Sequence, residues 1–191
     1  MSWSLKLFTL RGIPVRVHAT FLLILLWSAW LGFNTRAAGW PMGVLFWVVF
    51  TLLLFVCVVL HELGHSLVAQ LFGVSVHDIT LWPIGGVARF AKLPERPHQE
   101  FLIAAAGPAV NVLLAILLGA VALAWIGPAR LLALAGSPYQ LERLLTGVSI
   151  EAMLLLLALN NALLVVFNLV PAFPMDGGRL VRSALAVFMP F

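Results

Sequence analysis

Charge is what this sequence has least of. Of 191 residues only 9% are Asp, Glu, Lys or Arg, while 63% are hydrophobic. A soluble domain carries about 25% charged residues, because its surface faces water. So few charges cannot cover the chain, and lipid is expected to cover much of it. Cysteine is nearly missing too, and the single Cys57 excludes an intrachain disulfide framework. No basic patch is interleaved with aromatic residues, so the net charge of +4 does not point to nucleic acid. The opening Met1 to His18 is amphipathic and lacks a small-residue cleavage site, so it does not read as a signal peptide. With no linker, repeat or low-complexity tract, residues 1–191 are expected to form one domain.

What is abundant is apolar sequence, in four runs. The first spans about Ala19 to Phe33. The second starts near Pro41, stays apolar to Leu60 and keeps helical character to about Phe72. The third covers about Phe101 to Ile126, and the fourth about Val148 to Val170. Crossing a bilayer takes roughly 20 residues, so the first run is short and must borrow flanking residues. A fifth piece, Leu180 to Phe191, is too short to cross and either is cut short or lies at the interface. The expected fold class is therefore an all-α multi-span membrane protein with about four complete helices and a partial fifth.

Cations outside these runs orient the chain. Lys6, Arg11, Arg16, Arg89, Lys92, Arg96, Arg179 and Arg182 fall on one side, against Arg36, Arg130 and Arg143 on the other. The positive-inside rule then places the N-terminus, the 73–100 segment and the C-terminal end in the cytoplasm of a multi-pass cell-membrane protein.

The most informative run is His61-Glu62-Leu63-Gly64-His65. Helical periodicity puts both histidines one turn apart on one face, where two imidazoles can reach the same ion. Glu62 points to a neighbouring azimuth, where a carboxylate can take a proton from activated water. Chance supplies such a match in roughly 0.003 of chains of this composition, so it is specific. It directly follows the apolar run Leu52 to Leu60, so a spanning helix carries the site. Ionisable groups in such a helix are costly and usually functional.

Zinc needs a third protein ligand and one open position. Val68 and Leu71 stand where a metzincin would have Gly and His. Cys57 is about 12 Å from His65 along the helix, too far to share an ion, and reads as a packing residue. Asp78, Glu95, Glu100, His77 and His98 fall in a polar connection, where solvation is expected. Glu142 and Glu151 belong to the wrong side. Asp176 lies just past the fourth run, at the depth of the His61–His65 pair, in Asn168-Leu169-Val170-Pro171-Ala172-Phe173-Pro174-Met175-Asp176-Gly177-Gly178-Arg179. It is a ligand candidate, with an ordinary helix-capping Asp as the alternative.

Those two motifs together, HELGH on one membrane helix and N-x-x-P-x-x-P-x-D-G-G-R on a later one, resemble the site-2 protease family of intramembrane zinc metalloproteases. The likeness runs from Gly12 to about Ala184 and is nearest the bacterial and archaeal branch with sporulation-factor processing and CBS-domain-bearing members. It implies one Zn²⁺ per chain held by His61, His65 and Asp176, with Glu62 as general base. It implies that Asn168 positions substrate or stabilises the oxyanion, with a bond between helices as the alternative. The implied activity is hydrolysis of peptide bonds in or near transmembrane segments of membrane-embedded protein substrates, as in regulated intramembrane proteolysis. The stretch Val74 to Phe90 resembles the family's membrane-dipping β-hairpin, whose edge strand could pair with an unwound substrate. Ala106 to Asn111 also matches a family motif, read as helix packing with Asn111 bonding across helices. Relatives resemble six-span enzymes, so this chain is expected to be a core domain truncated at its C-terminus. A metal carrier or a non-catalytic scaffold remains the alternative from another class.

Overall fold

The computed structural model describes residues 3–35, 39–92 and 96–188. Arg36 and Glu95 lie outside the described residues. Two strands, β1 (Ser4–Leu10) and β2 (Ile13–His18), open the chain and are followed by helices α1 (Phe21–Asn34) and α2 (Trp40–Leu71). A second hairpin, β3 (Val76–Trp82) and β4 (Gly85–Phe90), leads into α3 (Pro97–Ile126). Short helices α4 (Pro128–Ala135) and α5 (Pro138–Leu145) precede α6 (Ile150–Asn168) and α7 (Asp176–Phe188).

The molecule is mainly helical and is a membrane protein. Among the described residues α2, α3 and α6 are long and apolar enough to cross a membrane. At 14 residues α1 is the short apolar helix that the sequence leads one to expect. The 32 residues of α2 extend about 48 Å, well beyond a hydrocarbon core of about 30 Å. Pro41 and Pro97 each sit in a first helical turn, where the missing N–H would be unpaired anyway.

The β-structure exceeds the expected hairpin. Residues 4–18, read only as an amphipathic opening, form a hairpin of their own around Arg11 and Gly12, both at positive φ. Strand β2 then pairs in parallel with β3, giving one four-stranded sheet in the order β1-β2-β3-β4. Ile13 and Val15 alternate inward and pack with Ile79 and Leu81 against Phe21 of α1 and Phe55, Val59 and Leu63 of α2. Burial of each such side chain contributes about 1.5–3 kcal/mol. The sheet is thereby fastened to the half of α2 that carries the histidines.

Two acids expected to be solvated are buried instead. Asp78 is 3% exposed, takes a hydrogen bond from Arg89 Nε at 2.6 Å and lies 3.5 Å from Arg16 Nε. Glu100 falls in the first turn of α3, because that helix starts at Pro97 rather than near Phe101. It is buried and takes a hydrogen bond from Arg182 of α7. His77 and His98 are exposed, as expected.

The Arg89 hydrogen bond, opposed by burial, holds the Asp78 carboxyl below its usual range. A depressed carboxylate pKa stabilises the fold above the unfolded value near 3.9, and that contribution is lost as pH falls through the folded value. Asp78→Asn should therefore cost about 1–3 kcal/mol at neutral pH. Thermal unfolding should show the gap between variant and native narrowing below about pH 4. A gap independent of pH would assign the effect to packing.

Candidate active site

His61 and His65 project from one face of α2, with ring centroids 4.7 Å apart. Their Nε2 atoms are 3.0 Å apart. Asp176, the first residue of α7, brings Oδ2 to 3.2 Å from His61 Nε2 and 3.1 Å from His65 Nε2. All three residues are buried. Residues 111 positions apart thus meet at one point, because the segment 169–175 doubles back between α6 and α7. A Cβ on Gly177 would overlap the carbonyl oxygens of Leu169 and Val170, so only glycine permits that fold-back.

The donor set calls for a cation. His65 Nδ1 lies 2.6 Å from the Ile103 carbonyl, which only accepts, so Nδ1 carries the proton. In the neutral ring Nε2 then presents a lone pair towards Asp176 Oδ2. The His65 lone pair and the Asp176 carboxylate, 3.1 Å apart, repel each other unless a proton or a metal ion lies between them. A tetrahedral metal site with bonds of about 2.0–2.1 Å separates its ligand atoms by about 3.3 Å, close to the spacing here. His61, His65 and Asp176 are positioned to bind a metal ion.

Helix α3 leaves room for that arrangement at one residue. A Cβ on Gly107 would overlap His65 Nε2 and come within 2.7 Å of His61 Nε2. The backbone of α3 therefore forms a wall against both imidazoles. Nothing in the local sequence around Gly107 announces this, and the motif that includes it reads as helix packing.

Glu62 stands beside the cluster and outside it. It faces a cavity of about 480 Å³ lined by His61, His65, Asn168 and Arg179, among others. Strand β4 borders the same cavity, and a Cβ on Gly86 would lie 2.7 Å from Glu62 Cγ. Ala88 of β4 lines the cavity beside it. Asn168 ends α6 and donates from Nδ2 to the Leu164 carbonyl at 2.9 Å while lining the cavity. Cys57 is buried and takes no part in the cluster.

In the sequence Arg179 is an orienting charge and the last residue of the second motif, and the structure adds a positioning role. It lies one turn after Asp176, lines the cavity, and holds Nε 3.8 Å from Glu100 Oε1. Its guanidinium also lies 5.9 Å from the Phe90 ring centroid. Together with Arg182 it ties α7 to the start of α3, and so fixes the helix that presents Asp176.

The sequence model of peptidase family M50 matches residues 49–189, which include both motifs and all three candidate ligands. The chain belongs to peptidase family M50. This M50 chain is 39% identical over 186 residues, 97% of its length, to zinc metalloprotease MJ0392 of Methanocaldococcus jannaschii. That match covers 47% of the relative. It is 27% identical over 143 residues to stage IV sporulation protein FB of Bacillus subtilis, covering 73% of this chain and 41% of that protein. It therefore spans less than half the length of these curated relatives. Among solved structures it is similar to the site-2 protease from Methanocaldococcus jannaschii, with a TM-score of 0.65 and 37% identity. That likeness covers 99% of the M50 chain and 74% of the solved one.

Proposed function

We propose that this chain is the catalytic core of an intramembrane zinc metalloprotease that hydrolyses peptide bonds in or near transmembrane segments of membrane proteins. The observation that carries the reading is the convergence of His61, His65 and Asp176 on a membrane helix, with Glu62 facing the adjoining cavity. His61, His65 and Asp176 would hold one zinc ion. When bound, zinc supplies Lewis acidity that brings the pKa of water towards about 7 and polarises a carbonyl.

The chain's own residues do the rest. Glu62 accepts the proton of the attacking water at its carboxylate and returns it to the amine nitrogen as the C–N bond breaks. Asn168, which lines the same cavity, positions the substrate backbone or donates to the developing oxyanion. Strand β4 has β3 as its sheet partner and ends the sheet, so its outer edge can receive an unwound substrate segment beside Glu62. Such pairing matters because a helix engages its own peptide groups and hides them from attack. The excess of Lys and Arg on one side of the spans supports an N-terminus and a sheet-bearing side that face the cytoplasm, the source of water for the reaction.

Metal analysis in detergent tests the ligand set. The native chain should bind about one zinc. His61→Ala, His65→Ala and Asp176→Ala should lose it, whereas Glu151→Ala, on the far side of the spans, should keep it. Zinc retained in Asp176→Ala would remove that residue from the ligand set, and loss in Glu151→Ala would move the third ligand there.

A further inference from the structure

One buried polar side chain has no part in the chemistry above. Asn111 of α3 is fully buried, and neither Nδ2 nor Oδ1 has a hydrogen-bond partner among the described residues. Native proteins rarely leave a carboxamide so, because its lost hydration goes uncompensated. His61 Nδ1 is buried and unpartnered in the same way. Both residues line one small cavity of about 160 Å³ that Glu62 and Asn168 share.

The register of the two helices brings these orphans together. The Ile103 carbonyl meets His65, and Gly107, one turn further along α3, stands against both His65 and His61. Asn111 is one turn further again, which places it level with His61 on the antiparallel α2. A histidine that gives one nitrogen to a metal donates its other N–H to an acceptor, which fixes the ring and its tautomer. Ile103 does this for His65. Among the described residues nothing yet does it for His61.

We propose that Asn111 is the positioning residue for His61. Its Oδ1 accepts the Nδ1–H, directly or through one bound water, when Nε2 is committed to the metal. The inference rests on the zinc reading above, and concerns a residue that touches neither substrate nor metal.

Zinc affinity, measured by competition with a chromogenic chelator in detergent, tests it without reference to cleavage. Asn111→Leu should weaken zinc binding by about 10–100-fold, the loss usual when such partners are removed. Asn111→Asp keeps an acceptor of greater strength and should bind zinc at least as tightly as the native chain. Asn161→Leu removes another fully buried carboxamide, on α6 and outside this cavity, and should leave zinc affinity unchanged. Native affinity in Asn111→Leu overturns the inference, as does an equal loss in Asn161→Leu. If Asn111→Leu does not fold, Asn111→Asp decides alone, and weaker zinc binding by it overturns the inference. A native chain without zinc would defeat the zinc reading as well, whereas a zinc-bound native chain matched by Asn111→Leu defeats only the role of Asn111.

Discussion

Glu62→Gln should leave zinc bound and the fold intact while cleavage falls by about 10²–10⁴-fold, the scale for removing a general base. The carboxamide keeps the size of the side chain and its packing against Gly86, so β4 should stay in place. What it cannot do is take a proton from water at neutral pH. Co-expression with tagged membrane substrates, alongside zinc analysis of the purified proteins, reads both quantities. Undiminished cleavage by Glu62→Gln would sink the proposed mechanism whatever the metal content. A metal carrier would instead show altered zinc affinity or transport, with no proteolysis to lose. If catalysis needs spans beyond this chain, both proteins will be inactive, and the comparison should then be made in a chain extended through them.

Gly107→Ala is expected to be nearly as damaging, and the sign of its effect is diagnostic. In an ordinary helix interior, replacing Gly by Ala stabilises by about 1 kcal/mol. At Gly107 the added methyl overlaps His65 Nε2 and crowds His61 Nε2, so either the imidazoles turn away or α3 retreats. Interiors are packed too closely to absorb this without displacement. A shift of about 1 Å in a catalytic group can cost about 10²-fold in rate. Gly107→Ala should therefore lose zinc and at least about 10²-fold of activity, and the overpacking should cost about 1–3 kcal/mol of stability where an ordinary helix would gain. Gly119, also within α3 but with open space around its missing Cβ, supplies the control, and Gly119→Ala should be harmless. Retention of zinc by Gly107→Ala would show that the close approach of α3 is dispensable.

The parts of this protein that could be read in advance are local ones. HELGH declares itself because a helix repeats every 3.6 residues, so the facing of His61 and His65 follows from their spacing alone. The runs that became α2, α3 and α6 were legible for a similar reason, since bilayer thickness sets a length that composition either meets or misses. Residues 13–18 also carry a legible signal. Ile13 and Val15 alternate with Pro14 and Arg16 at the period of a strand, which the amphipathic character of Met1 to His18 does not by itself convey. Its parallel pairing with β3 was beyond sequence reasoning, because partners such as Val15 and Ile79 are separated by two helices.

Asp78 and Glu100 show where composition misleads. Both sit among polar residues, which suggests solvent. Their burial depends on arginines that only the fold delivers, Arg16 and Arg89 from neighbouring strands and Arg179 and Arg182 from α7.

The sequence by itself determined that this chain belongs in a membrane, that one helix carries paired imidazoles with a carboxylate beside them, and that Asp176 was a ligand candidate. Those conclusions rest on composition and on periodicities a few residues long, and neither requires distant parts of the chain to meet. Only the tertiary structure decided that Asp176 completes the cluster, that Gly107 leaves the space for it, and that Gly86 of β4 lies against Glu62. Each of these is a contact across an interface between elements. Such contacts are set by packing and backbone fold-back, and the residues that make them have no spacing in common.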